Sequence, residues 1–97
     1  MRCRSAHPAV ALLAIAQLSV AAAAEMPPGA SSCSGCHAVS TGVETPVPGL
    51  IGRPAADITT AMEQFRAGQR PATVMDRIAK GFSEAEAAAI AAWYAAQ

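Results

Sequence analysis

The chain has 97 residues, of which 53% are hydrophobic and 4% aromatic, and its seven basic residues balance seven acidic ones. This charge balance argues against a nucleic-acid-binding surface, which needs clustered positive charge and usually exposed aromatic residues. A chain of this length forms one small domain, and such domains usually need a disulfide, a metal or another cross-link to be stable.

The first 24 residues are a predicted signal peptide. Arg2 and Arg4 precede an uncharged apolar run, and three alanines stand before Glu25, the arrangement that a signal peptidase cleaves. An uncleaved membrane anchor is the alternative, but the run is shorter than the ~20 residues that span a bilayer and is largely alanine. We therefore expect cleavage after about Ala24, export to the periplasm and no stable membrane insertion afterwards.

Cleavage removes Cys3 and His7 together with two basic residues, so the mature domain at 25–97 carries a net charge of −2. Its two cysteines, Cys33 and Cys36, are three positions apart. A disulfide between them would constrain little of the unfolded chain, because the entropic benefit of a cross-link grows with the length of the loop it closes. The two thiols are therefore expected to hold a larger group.

The first predicted element of the mature domain is a short helix over residues 30–38, after the prolines of the preceding turn. An extended loop rich in glycine, proline and threonine follows up to Pro54. A second helix is predicted with Asp57 as its N-cap and Gly68 at its end. Its apolar residues recur at helical spacing: Ile58, Ala61, Met62 and Phe65.

Beyond the second helix, we predict a loop through Met75 and a single helical turn that ends near Gly81. Ser83 and Glu86 form an S-x-x-E capping box, which predicts the start of an alanine-rich helix that continues to the C-terminus. No strand is evident. The predicted class is all-α, with about three to four helices and long loops.

The motif C-S-G-C-H, which ends with Cys36 and His37, is the attachment signature of c-type haem. Two thiolates about one helical turn apart can each add to one vinyl group of a porphyrin, and the next residue can place an imidazole nitrogen on the iron. We therefore predict one covalent haem c, bound through Cys33 and Cys36, with His37 as an axial iron ligand.

Two other uses of the cysteines stay open from the residues alone. A structural zinc site needs four Cys or His ligands, and the mature chain has three, all within one turn. A dithiol redox motif is expected in a βαβ context, which the predicted elements do not provide. Neither alternative explains why His37, the only histidine left after cleavage, follows Cys36 directly.

The second axial ligand is predicted to be a methionine, because no other histidine remains. Met26 lies too close to Cys33 along the chain to reach the opposite face of the ring easily. Met62 belongs to the apolar stripe of the second helix, where a methionine commonly fills the core. Met75 lies between two helices in a stretch without periodicity and is the candidate ligand, with a core or surface position as the alternative.

The chain resembles the class I c-type cytochromes, small electron carriers with one haem. The resemblance covers residues 25–97 and rests on C-S-G-C-H, P-G-L-I-G, T-V-M and the pair W-Y in the last helix. It implies a small cytochrome c-like fold around one covalently attached haem. It also implies that the C-terminal helix packs on the N-terminal one through Trp93 or Tyr94.

The same resemblance assigns roles to three residues of the site. It implies that the carbonyl of Pro48 accepts a hydrogen bond from His37, an interaction that would fix the ring orientation. It also implies that Met75 is the sixth iron ligand. One departure is that only eight residues separate Ala24 from Cys33, fewer than the first helix of this family usually contains.

Residues 68–97 are similar, more narrowly, to the haem subunits of flavocytochrome c sulfide dehydrogenases. This similarity implies a redox partner protein, such as a flavoprotein sulfide dehydrogenase subunit. We expect an electron carrier and not an enzyme, with both axial positions of the iron filled. The alternatives are a haem enzyme or gas sensor with an open axial site, which would need Met75 elsewhere, and a zinc-binding module.

The surroundings of the haem are predicted from the remaining residues. Arg53 and Arg70 are candidates to pair with the haem propionates, and a solvated surface position is the alternative for each. Six apolar side chains are expected to form a wall against the ring and to limit the access of water. This apolar wall consists of Ile51, Ile58, Met62, Phe65, Val74 and Ile78.

Overall fold

The computed structural model describes residues 23–39, 42 and 45–97. The predicted signal peptide, apart from its last two residues, lies outside the described residues. The described part of the chain forms four helices and no strand, which confirms the predicted all-α class with long loops. The helices are α1 (Ala30–Cys33), α2 (Ala55–Arg66), α3 (Met75–Ala79) and α4 (Glu84–Ala95). None of these is long and apolar enough to cross a membrane.

The first helix is shorter than predicted, because α1 ends at Cys33 and the chain continues in turns. Gly29 precedes it with a φ of 86°, a conformation that favours glycine. A Cβ at this position would lie 2.8 Å from the ring of Phe82. Both the backbone angle and the close approach of Phe82 therefore require glycine here.

The second helix begins two residues before the predicted N-cap. Pro54 is the N-cap of α2 and Asp57 lies in its first turn, so the prediction that Asp57 caps the helix is wrong. The carbonyl of Pro54 accepts the amides of Asp57 and Ile58 at 3.0 and 3.4 Å. Asp57 instead places a negative charge near the positive end of the helix dipole. Gly68, with a φ of 70°, follows the C-cap of α2 and ends it as predicted.

The start of α3 differs slightly from the prediction, whereas α4 starts at the predicted capping box. Met75 is the first residue of α3 and not the last residue of the preceding loop, a boundary one residue from the prediction. The capping box of α4 is confirmed: the amide of Glu86 donates to the Ser83 hydroxyl at 3.2 Å, and the amide of Ser83 donates to the Glu86 carboxylate at 2.8 Å.

The core lies where α1, α2 and α4 meet. Tyr94 is the largest fully buried side chain in the described part of the chain, and its hydroxyl donates to the carbonyl of Ala30 at 2.6 Å. Burial raises the pKa of Tyr94, which keeps the hydroxyl protonated and able to donate. The C-terminal helix thus contacts the N-terminal one, although α1 has a single turn. The buried core residues are Ala30, Ile58, Ile90, Ala91 and Tyr94.

Candidate functional site

The two cysteines of the C-S-G-C-H motif occupy neighbouring turns at the end of α1. Cys33 is half-buried and packs against the core, whereas Cys36 is exposed. The amide of Cys36 donates to the carbonyl of Cys33 at 3.3 Å, which keeps the two residues about one turn apart. Residues at this spacing lie on the same side of a helical turn, so both thiols can reach one flat group.

The Cys33 thiol is in an environment that suppresses its reactivity. Partial burial raises its pKa, so the free thiol is mainly protonated at neutral pH. The thiolate is the form that attacks disulfides and binds metal ions. A free Cys33 is therefore a weaker nucleophile and metal ligand than an exposed cysteine, whichever use the motif has.

His37 is held on both sides, by the turn that precedes it and by the loop before α2. Its amide donates to the carbonyl of Cys33 at 2.9 Å, and its ring Nδ1 lies 2.5 Å from the carbonyl oxygen of Pro48. A carbonyl oxygen only accepts, so Nδ1 is the nitrogen that carries the proton. In the neutral ring, the lone pair then lies on Nε2, and this is the form of imidazole that binds a metal ion.

The loop that carries Pro48 is tied to the core at two points. Leu50 and Ile51 pack against the core cluster, and the amide of Gly52 donates to the carbonyl of Tyr94 at 3.0 Å. The Nε of Arg53 donates to the carbonyl of Gly49 at 2.8 Å, next to Pro48. These contacts fix the position of the carbonyl that orients His37.

Met75 is half-buried at the start of α3, and its neighbours leave apolar surface uncovered. Val74 is 51% exposed and Ile78 is 42% exposed. Of the six residues of the apolar wall, Ile58 alone is buried in the core, and the others are half-buried or exposed. Apolar side chains uncovered beside Met75 are suited to contact a large apolar group.

The other two methionines have different surroundings. Met26 is 46% exposed in the segment before α1. Met62 is half-buried and borders a cavity of about 270 Å³ between α2 and α4, which Thr59 and Ala87 also line. Met62 therefore lies between these two helices, outside the core cluster.

The two arginines that were propionate candidates both contact other residues in the part of the chain that the structure describes. Arg53 uses Nε for Gly49, which leaves its remaining N–H groups for other acceptors. The guanidinium of Arg70 lies 5.3 Å from the centre of the Phe65 ring, a cation–π geometry.

Arg66 has a role that sequence reasoning missed. It is half-buried in the last turn of α2 and donates to backbone carbonyls more than twelve residues away in sequence. A basic residue in the last turn of a helix is a weak signal for such contacts, because it usually serves the carbonyls of its own helix.

No protein-family model matches the chain. Among curated proteins, the cytochrome subunit of sulfide dehydrogenase from Chlorobaculum tepidum is 36% identical to it over 63 residues, which are 65% of this chain. The chain is similar to a cytochrome subunit. This match confirms the predicted similarity to the haem subunit of a sulfide dehydrogenase. The aligned region spans 57% of the length of that cytochrome subunit.

The donor set of the site fits a haem. In the part of the chain that the structure describes, no three His, Cys, Asp or Glu side chains come together to hold a metal ion. A porphyrin supplies four nitrogen ligands of its own, so an iron within it needs only two from the protein. His37 offers Nε2 and Met75 offers a thioether. Cys36 stands directly before His37, and Cys33 lies one turn earlier. The residues of this cytochrome-like chain therefore suit a haem.

Proposed function

We propose that the protein is a periplasmic electron carrier with one haem c, attached through Cys33 and Cys36 and ligated by His37 and Met75. The observation that carries the proposal is the bond between Nδ1 of His37 and the Pro48 carbonyl, directly after two cysteines one turn apart. A bound haem would supply one-electron exchange between Fe(II) and Fe(III). The chain's own residues attach, orient and shield that group.

Each site residue has a distinct part in this proposal. Cys33 joins the group to the core, and Cys36 joins it at the surface. Donation from His37 to Pro48 orients the imidazole and makes it a stronger ligand. Met75 completes the coordination, and a thioether ligand favours the reduced state of a haem. The apolar wall limits the access of water to the haem, which also favours the reduced state.

The proposed redox partner is a flavoprotein sulfide dehydrogenase subunit. The curated relative is named as the cytochrome subunit of a sulfide dehydrogenase. The sequence of residues 68–97 carries the narrower resemblance described above. Val74 and Ile78 are the exposed members of the apolar wall, so a partner that docks there would meet the edge of the attached group. The exposed charges of Arg77 and Lys80 lie next to them in sequence. An apolar centre with a polar rim is the usual composition of a protein interface.

Export and cleavage after Ala24 are part of the proposal. In the uncleaved chain, the indole nitrogen of Trp93 donates to the carbonyl of Ala24 at 3.2 Å. Cleavage after Ala24 would release that carbonyl with the signal peptide. The side chain of Trp93 would then be free to bond to water or to the new N-terminal segment.

The test of the proposed function is electron transfer from a sulfide-oxidising flavoprotein. A pull-down from periplasm should recover such a protein with the mature chain, and stopped-flow mixing with sulfide should reduce the haem faster in its presence. The matched control is sulfide alone. If no flavoprotein co-purifies and sulfide reduces the haem equally fast without it, the partner is wrong. A redox titration that does not fit a single one-electron step would contradict the carrier itself.

A further inference from the structure

Arg66 joins three parts of the chain at one guanidinium. Its Nη2 donates to the carbonyl of Phe82 at 2.7 Å and contacts the carbonyl of Ala79 at 3.4 Å, and its Nε lies 3.4 Å from the same Ala79 oxygen. These carbonyls stand on either side of the turn at Gly81, which separates α3 from α4. The last turn of α2 is thereby joined to the end of α3 and to the approach to α4.

The third helix needs such external support. α3 contains only five residues, Met75–Ala79, and an isolated helix of this length is unstable in water. Its last carbonyls have no partner within the helix and must find donors elsewhere. The carbonyl of Ala79 accepts from the amide of Phe82 at 3.4 Å, and Arg66 adds two charged donors to it, also at 3.4 Å. The shortest bond of Arg66, 2.7 Å to the carbonyl of Phe82, holds the residue just beyond the turn, and charge-assisted bonds of this length are stronger than neutral ones.

The support at Ala79 acts on the position of Met75. The two residues are four positions apart, so they lie on the same face of α3, one above the other. Ala79 is fully buried and Met75 is half-buried, whereas Arg77 and Ile78 are exposed. The face that carries Met75 is therefore the face that α3 turns inward, and Arg66 fixes this face from its C-terminal end.

We propose that Arg66 is a positioning residue that keeps Met75 in place as an iron ligand. This inference rests on the proposed function, because it assumes that Met75 ligates the iron. Arg66 does not touch the group itself and acts through the backbone of α3. Without its donors, α3 shifts or frays, and the thioether leaves the iron more often.

Variants of Arg66 are expected to fold. Its side chain borders the cavity of about 270 Å³ between α2 and α4, which Glu63 and Glu84 also line. A shorter or uncharged side chain can relax into this space, and water can reach the carbonyls that lose their donor. Arg66→Met keeps an unbranched apolar stem but removes the charge and the donors. Arg66→Lys keeps the charge without the planar fork.

The test measures how readily imidazole displaces the thioether in ferric holoprotein. We expect Arg66→Met to raise the apparent affinity for imidazole by about tenfold. Loss of one charge-assisted hydrogen bond from the form in which the thioether is bound would have an effect of this size. The charge-transfer absorption of the Fe(III)–thioether bond should weaken in parallel. Arg66→Lys should fall between Arg66→Met and the wild type. Arg77→Met is the matched control, since it removes an equal charge from an exposed position on α3, and it should bind imidazole as the wild type does.

Two results would overturn the inference. If Arg66→Met lowers the stability to urea but binds imidazole no more tightly than Arg77→Met, then Arg66 serves the fold alone. If the wild-type protein lacks the Fe(III)–thioether absorption, Met75 is not a ligand, and both the proposed ligation and this inference fail. The wild-type spectrum thus separates the two failures.

Discussion

The hydroxyl of Tyr94 donates a 2.6 Å hydrogen bond to the carbonyl of Ala30, sixty-four residues earlier in the chain. Ala30 opens the single turn that ends at Cys33, so this bond ties the cysteine-bearing segment to the C-terminal helix. Because α1 is too short to be stable alone, its place depends on such long-range contacts.

Removal of this hydroxyl should destabilise the protein. Tyr94→Phe keeps the ring but leaves a buried carbonyl without its donor, which we expect to cost about 1–2 kcal/mol of the free energy of unfolding. Urea unfolding of the holoprotein measures it. Trp93→Phe is the control, because cleavage after Ala24 would already have removed the acceptor of its indole nitrogen. Equal losses in both variants would contradict the assigned role of the Tyr94 hydroxyl.

A methyl group at Gly29 should be much more costly than one at another glycine of similar backbone angle. Gly29→Ala combines a positive φ with a contact of 2.8 Å to Phe82. Gly68 has a φ of 70° but no atom within 4 Å of the added Cβ. We expect Gly68→Ala to lose about 1–2 kcal/mol from backbone strain alone, and Gly29→Ala to lose about 1–3 kcal/mol more from overpacking. Similar denaturation midpoints for both variants would rule out the close approach of Phe82.

The capping box of α4 should make stability depend on pH in the acid range. Hydrogen bonds from the amide and hydroxyl of Ser83 lower the pKa of Glu86. A carboxyl whose pKa is lower in the folded state stabilises the fold above its unfolded pKa, and this contribution disappears as the pH falls through the folded pKa. Glu86→Gln should therefore reduce the loss of stability between neutral and acid pH.

Glu84→Gln is the matched control for this experiment, because Glu84 lies in the same first turn of α4 but outside the capping box. Thermal unfolding across the pH range distinguishes the two variants. If Glu84→Gln and Glu86→Gln change the pH dependence equally, then negative charge near the start of α4 causes the pH dependence, and the capping box does not.

The capping box, the alanine-rich helix and the C-S-G-C-H motif were predictable, because each depends on residues close together in sequence. The bond from Tyr94 to Ala30 and the contacts of Arg66 were not, because they join segments that only the tertiary fold brings together. The N-cap of α2 was missed for a local reason: Asp57 is a strong N-cap type, but the proline at position 54 starts the helix earlier. The bond from His37 to Pro48 followed from the family resemblance and not from spacing.

Loss of Met75 and loss of Met62 should have different consequences. Met75→Ala should leave the haem attached, because the cysteines hold it, but should open one coordination position to imidazole. Met62→Ala should keep the wild-type spectrum and lose about 1–2 kcal/mol of stability, since Met62 packs between α2 and α4. Absorbance spectra with and without imidazole measure both effects. The reverse pattern would make Met62 the ligand.

The intact mass of the protein after periplasmic maturation, measured under denaturing conditions, tests the central claim most directly. Thioether bonds survive denaturation, so the account predicts residues 25–97 with the mass of one haem added. Cys33→Ser and Cys36→Ser together should give the same chain without that addition. A mature wild-type protein that carries the mass of the polypeptide alone would contradict covalent attachment at Cys33 and Cys36.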